Sequence, residues 1–576
     1  MSAVVGRGSP SPRHRRRLVV SLAAMFGAFA VLGARVVQVQ ALAADRYADF
    51  GETQRVRTVA LPAYRGAIFD RNGNDLALTV RQSTVVANPR LVDDPLAVAA
   101  KLAPLLKVPA GDLQARLTRD QAFVYLARTV DDDVAAQVRA LGLAGIELRD
   151  EPERFLPAGA LAGPLLGRVG TDNTGLSGLE VQFDDALAGR PGTMVVERDP
   201  KGREIVGGVR RLEPAAPGDD LVLTIDRAIQ YEAERSLAAT IVSANAKGGM
   251  AIVMDTRSGD LLALANLSVP AIGGVPVAAT KNMALTNVFE PGSVNKMITI
   301  AGALEDGTIG PGDSLVVPST LRVADKVFSE HDPHPTARWS VTDVMANSSN
   351  VGSIMIGQRL GKTRIDHYLR AFGFGSKTGL GFPGESRGIL LDPDRWSGTS
   401  IGTVSIGQGL AVTGVQMLAA YNAVANGGTY VAPRLLKATV DAGGTRRNAP
   451  PSARRAVISP ATAAQVTAML SEVVRVGTGT EAAVDGYTVA GKTGTARKPL
   501  EGARGYKEGA YVASFAGFVP AEKPALAAIV ILDEPTPIFG GIVAAPVFAD
   551  VAGYALRHLK IPPPPRGRPP AAAAVP

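Results

Sequence analysis

The strongest constraint on this chain lies at its start, where residues 18–34 hold seventeen positions without a charged side chain, directly behind Arg13, Arg15, Arg16 and Arg17. Seventeen is the lower limit for a helix that crosses a hydrocarbon layer, and Arg35 extends the usable length by snorkelling to the far interface. A basic flank stays on the cytoplasmic side. Residues 1–17 are therefore expected as a basic cytoplasmic tail and 18–38 as a single transmembrane anchor in the plasma (inner) membrane. All that follows is expected outside the cytoplasm. Ala41-Leu42-Ala43 has the form of a signal-cleavage site. It stands well beyond the apolar run with Arg35 between, which favours an uncleaved anchor.

The net charge of +8 raises the question of nucleic acid. Setting aside the five arginines of the start, Arg7 included, leaves 56 basic residues against 53 acidic ones, too even a balance for a nucleic-acid groove. The chain has no cysteine, which excludes a disulfide framework, a thiolate metal site and a catalytic thiol. With 576 residues and 46% hydrophobic content it can build several cores.

Beyond the anchor, residues 39–215 mix short alternating stretches with Gly and Pro. Asn72-Gly73 marks a turn between strand-like pieces, and the Ala- and Leu-rich residues 94–145 read as helices. No catalytic constellation appears there, so this region is expected to be an elongated, non-catalytic α+β pedestal. From residue 216 the texture changes. Residues 221–225 read as a strand and 227–244 as a helix. Residues 250–254 and 261–265 form a hairpin around Ser258-Gly259-Asp260, and 514–519 with 525–532 form another apolar pair around Pro520. Helical stretches, 342–360 and 461–474 among them, lie between. Strands at both ends of 216–562 with helices between predict an antiparallel sheet covered by helices, an α+β fold. Residues 563–576 are Pro- and Ala-rich and read as a disordered tail.

Three short motifs fall in order within that second region: Ser293-Val294-Asn295-Lys296, Ser348-Ser349-Asn350 and Lys492-Thr493-Gly494-Thr495. Each alone is weak, but the ordered set is specific. Pro291-Gly292 is a helix-start signal, so Ser293 belongs at a helix N-terminus, where free amides favour a developing oxyanion. Lys296 follows one turn later on the same face. A desolvated lysine can lose its proton near neutral pH and activate the serine, so no histidine is required. Ser348 is placed to relay a proton to the leaving amine and Asn350 to hold a substrate amide. Residues 492–495 read as an edge strand able to pair with an extended peptide. Lys492 would bring positive charge, and the Thr493 and Thr495 hydroxyls flanking Gly494 would bind a carboxylate.

On these motifs the chain resembles the class B penicillin-binding proteins, most of all their cell-division (FtsI-type) branch. Tyr64-Arg65-Gly66, Asp70-Arg71-Asn72-Gly73 and Gly175-Leu176-Ser177-Gly178-Leu179-Glu180 resemble the family's pedestal motifs, and Ser405-Ile406-Gly407-Gln408-Gly409 one of its transpeptidase motifs. The resemblance implies a pedestal or dimerisation domain over 39–215 and a penicillin-binding transpeptidase domain over 216–562. It implies a D,D-transpeptidase that cross-links peptidoglycan stem peptides in septal wall synthesis, is acylated by β-lactams and needs no cofactor or metal. Its oxyanion hole would be the amides of Ser293 and Thr495. Its partners would be a lipid II polymerase of the shape, elongation, division and sporulation (SEDS) family and division-site membrane proteins. Asn295 departs from the family, which favours a bulky apolar residue there. An elongation-type transpeptidase and a penicillin-acylated sensor or scaffold are the alternatives.

Two decoys compete. Residues 486–493 match the phosphate-loop pattern G-x-x-x-x-G-K-T, the mark of an NTPase, but Gly494 and Pro499 deny the helix that would receive phosphates. Glu330-His331-Asp332-Pro333-His334 suggests a metal site, yet Pro333 and Pro335 mark a loop and the reading is of solvated polar residues. A hydrolase that destroys penicillin would need a water-activating glutamate between the second and third motifs. Only Glu385, Glu472 and Glu481 lie there, none in a suitable setting.

Overall fold

The computed structural model describes residues 12–199, 204–271, 273–500, 502 and 505–564. The first eleven residues of the expected cytoplasmic tail and most of the Pro- and Ala-rich tail lie outside these. The apolar run forms one helix, Pro12–Val37, continued by a π-turn over Gln38–Leu42, with no buried residue. Pro12–Leu42 is long and apolar enough to cross a membrane. Arg13 and Arg15–Arg17 make its first turns.

The chain divides into two compact units, each assembled from separate stretches. The smaller takes Met1–Pro62, Gln82–Glu151 and Pro191–Ala215. In it, Val56–Leu61 pairs with Gly192–Arg198, which pairs with Glu204–Glu213. A second cluster packs Leu102 and Leu113, from helices Pro95–Leu106 and Ala110–Leu117, against Val85 and Leu126. Leu126 belongs to strand Val124–Val130, which interrupts the expected helical stretch 94–145. Its alternation of buried and exposed residues has the period of a strand, and a helix-period reading of the flanking alanines hides it.

The larger unit takes Ala63–Arg81, Pro152–Arg190 and the chain from Ala216. Its sheet has six antiparallel strands: β1 (Gly248–Asp255), β2 (Leu261–Ser268), β3 (Val277–Ala278), β4 (Ala490–Pro499), β5 (Tyr506–Val519) and β6 (Leu526–Asp533), in the order β3-β2-β1-β6-β5-β4. β1 and β6 are buried on both faces, which explains their continuous apolar sequences. Successive residues still point to opposite sides. Ala251 and Val253 join Ile229 and Leu237 of helix α1 (Arg227–Ser243) and Phe548 and Val551 of a C-terminal helix, Ala545–His558. Met250, Ile252 and Met254 face the other core, built by helices α2 (Lys296–Glu305), α3 (Asn350–Leu360), α4 (Gly414–Ala425) and α5 (Pro460–Arg475). This is the expected helix-covered antiparallel sheet.

Arg65 and Glu180, from two of the pedestal motifs, meet in this unit. Arg65 Nε lies 2.6 Å from Glu180 Oε2 and its Nη1 2.6 Å from Asp184 Oδ1, while Arg154 Nε takes Glu180 Oε1 at 2.7 Å. Both Arg65 and Glu180 are buried, so each charge depends on the other.

The expected helix 342–360 is two helices. Val341–Ala346 ends at Asn347, Ser348 turns to a left-handed φ of +56°, and α3 starts at Asn350. Periodicity cannot show such a break, because Val344, Val351 and Ile354 keep helical spacing across it and are all buried.

Candidate active site

Ser293 sits half-buried in a 3-10 turn, Gly292–Asn295, that runs directly into α2. The turn is fixed from three sides. Gly292 N–H donates to Gly407 O at 2.9 Å, Tyr421 O–H donates to Val294 O at 2.9 Å, and Asn295 Nδ2 donates to Val404 O at 3.0 Å. Asn295 thus fills its unusual position as a buried brace to the chain beside Ser405-Ile406-Gly407. Its Oδ1 has no partner.

One turn on, Lys296 is completely buried. Its ammonium donates to Ser348 O and to Asn350 Oδ1 at 2.8 Å, and Ser348 Oγ stands at 3.4 Å. The first and second motifs are therefore in direct contact. The left-handed backbone of Ser348 costs about 1 kcal/mol or more for a residue with a Cβ, and it presents that residue's carbonyl to the lysine. Burial pulls the Lys296 pKa down to about 7, and the Glu330 carboxylate opposes the shift.

The third motif lies on β4, the edge of the sheet. A Cβ on Gly494 would stand 2.4 Å from Ser514 Oγ, 3.1 Å from Val294 Cγ1 and 3.2 Å from Pro291 O, so only glycine lets the strand lie this close to the serine turn. From the other side, a Cβ on Gly292 would meet Ala496 Cβ at 3.1 Å and Thr495 O at 3.4 Å. Lys492 is also completely buried, with its ammonium 3.3 Å from Thr493 O and Oγ1. Burial and the nearby charge of Lys296 hold its pKa well below the ordinary lysine value. The two lysines thus discourage each other's protonation.

The hydroxyls expected to take a carboxylate already have neighbours. Thr493 Oγ1 lies 2.7 Å from Thr478 Oγ1, and Thr495 Oγ1 accepts from Gly540 N–H at 3.4 Å. Asn350 is similarly engaged: its Oδ1 faces Lys296 and its Nδ2 donates to Ser329 O at 3.1 Å. One Nδ2 hydrogen is left for a ligand.

The loop read as solvated polar residues holds a buried group that the sequence reading missed. Glu330 is only 8% exposed. Its carboxylate accepts from Asn350 N at 2.7 Å, from Val351 N at 3.1 Å and from Ser349 Oγ. The only available signal was its place at the end of an alternating stretch, Lys326–Ser329, whose pairing with Thr320–Val323 puts Glu330 beside the second motif. No group of three or more His, Asp or Glu residues able to hold a metal occurs among the described residues. Residues 490–499 are a strand in a sheet and no helix starts at Thr493, so the phosphate-loop pattern lacks the helix N-terminus that would receive phosphates, as the sequence predicts.

Compared with known proteins, residues 60–223 match the penicillin-binding protein dimerisation domain and residues 249–553 the penicillin binding protein transpeptidase domain. The chain is 33% identical over 552 residues to the peptidoglycan D,D-transpeptidase FtsI of Escherichia coli K12, covering 93% of this chain and 90% of that protein. It is 34% identical over 568 residues to the probable peptidoglycan D,D-transpeptidase PbpC of Pseudomonas aeruginosa, covering 96% and 97%. Among solved structures it is similar to penicillin binding protein 3 of Mycobacterium tuberculosis complexed with aztreonam, at 30% identity and a TM-score of 0.69 over 88% of this chain and 98% of that one.

Proposed function

The chain belongs to the class B penicillin-binding proteins, with their dimerisation and transpeptidase domains, and is a peptidoglycan D,D-transpeptidase; from that premise we propose that it works through an acyl-enzyme on Ser293, with Lys296 as base. The observation that carries this reading is the wholly buried Lys296, one turn from Ser293 and bonded to Ser348 and Asn350 of the second motif. A pKa of about 7 leaves roughly half of it neutral at neutral pH, ready to accept a proton.

The step runs as follows. A stem peptide pairs with β4 as an added strand, and the amides of Ser293 and Thr495 receive the carbonyl oxygen. Ser293 Oγ bonds to the carbonyl carbon as its proton passes to Lys296. The peptide C–N bond then breaks, and Ser348 Oγ, beside Lys296, relays that proton to the leaving amine. In the second half an acceptor amine attacks the ester, a new C–N bond forms as the acyl C–Oγ bond breaks, and the proton lost by the amine returns to Ser293 Oγ. Lys492, buried and pushed toward its neutral form, lines the site from β4, and Thr493, Gly494 and Thr495 bind the substrate's carboxylate end and backbone after Thr478 and Gly540 yield. A β-lactam enters by the same first half.

Residues 39–215 serve as the pedestal and 216–562 as the catalytic domain, held outside the cytoplasm by the N-terminal helix. The resemblance to the cell-division branch supports a septal role beside a SEDS-family polymerase and division-site membrane proteins. Labelling with fluorescent penicillin tests the nucleophile: Ser293→Ala is expected to abolish the label while thermal unfolding stays unchanged. Label recovered on another serine would remove Ser293 from this role.

A further inference from the structure

Resting on the proposed roles of Ser293 and Lys296, the geometry points to Glu330 as a positioning residue for acylation: its carboxylate holds the Ser348-Ser349-Asn350 turn against Lys296 and supplies the negative charge that the buried lysine faces. Ser349 O–H donates to Glu330 Oε1 and its oxygen in turn accepts from Gly352 N at 2.8 Å, so one hydroxyl links the carboxylate to the helix cap. Asn350 N and Val351 N donate to the two carboxylate oxygens. A carboxylate across the first amides of an eleven-residue helix is stabilised by the helix dipole and by charge-assisted hydrogen bonds. The same Asn350 whose amide is fixed in this way places Oδ1 on Lys296. Glu330 therefore reaches the lysine mechanically through Asn350 and electrically through space.

The charged neighbours are few. Lys296 faces Glu330 from the loop and Lys492 from β4. Glu330 also has His334 Nε2 3.9 Å from Oε1, and that nitrogen has no hydrogen-bond partner. Both lysines push toward the neutral form of each other, and burial does the same to each. Glu330 is the opposing influence on Lys296. Remove its charge and Lys296 loses a proton more easily, while Asn350 and the Ser348 turn lose their anchor.

These two consequences separate in a pH profile. In the full-length protein, the second-order rate of acylation by a fluorescent penicillin is measured from about pH 5 to pH 9 for the wild type, Glu330→Gln and Glu330→Asp. The Gln variant should show a plateau lowered roughly tenfold or more, as for loss of a group that orients a general base, and a rising limb displaced to lower pH. The Asp variant keeps the charge but withdraws it by one methylene, so its limb should lie between the other two and its plateau should partly recover. Repeating the comparison in a His334→Gln background should leave the displacement in place. A lowered plateau with all limbs superimposed would make Glu330 a structural cap only and overturn the proposal. If Glu330→Gln does not fold, an acid displacement in Glu330→Asp alone supports the proposal and its absence overturns it. Labelling that survives loss of Ser293 or Lys296 in the same assay would instead overturn the underlying reading, so the two failures are distinct.

Discussion

Titrating Lys296 through its catalytic range gives the sharpest check on the chemistry. Its pKa of about 7 makes about one-tenth of it neutral near pH 6, about half near pH 7 and about nine-tenths near pH 8. An ordinary lysine with a pKa of about 10.4 would be neutral in only about one molecule in 2,500 at pH 7. If neutral Lys296 is the base, acylation should rise about tenfold from pH 6 to pH 8 and then level. Stability moves with the same group. Its folded pKa is depressed, so between about pH 7 and pH 10.4 the unfolded chain binds a proton that the folded chain does not, and stability rises with pH across that window. Below about pH 7 both forms hold the proton, and the fold carries a buried cation. Lys492 is displaced in the same direction by burial and by Lys296. Stopped-flow acylation of the detergent-solubilised protein, with parallel thermal unfolding, reads both effects. A rate that is flat from pH 6 to pH 8, or that climbs without levelling to pH 10, would refute a base with this pKa.

Two further outcomes are expected. Bound penicillin should leave far more slowly than it attaches, because Glu385, which accepts from Thr378 N and Oγ1, and Glu472, which pairs with Arg475, are bonded to residues outside the three motifs; rapid multiple-turnover hydrolysis by the purified protein would contradict this. Arg65→Ala leaves the buried Glu180 with Arg154 alone, and loss of one partner of a buried pair costs up to about 3–5 kcal/mol, so thermal unfolding should occur at clearly lower temperature; an unchanged midpoint would show that Arg154 alone satisfies that carboxylate.

The parts of the site legible in the sequence are those set by residue identity and local order. The apolar run, the paired strands at 250–265 and 514–532, and the serine at a helix start all announce themselves through charge, alternation or capping chemistry. The turn at Ser348 does not, because its left-handed backbone has no glycine to mark it and its partner Lys296 lies 52 residues earlier. Glu330 was equally hidden. A Glu-His-Asp-Pro-His sequence is polar by composition, and only the pairing of Lys326–Ser329 with Thr320–Val323 carries its first residue inward. Residue chemistry assigns Thr493 and Asn350 to substrate, and the structure adds that both already hold protein partners. Such prior engagement depends on residues far away in sequence, Thr478 and Ser329, and local patterns carry no trace of it.

Neither compact unit is a continuous stretch of chain, and this sets an order of events at biogenesis. Ile68 pairs in parallel with Leu221, and Phe69 with Val222, so the earlier strand has its neighbour 153 residues downstream. At synthesis rates of about 5–20 residues per second that neighbour arrives roughly eight to thirty seconds later. Throughout the interval the Ile68 strand has only its antiparallel neighbour in Asp75–Ala87, and the Arg65 cation waits for Glu180 and Asp184, 115 and 119 residues after it. The larger unit cannot close until most of the nascent polypeptide has been delivered, because β1 also pairs with β6, Leu526–Asp533.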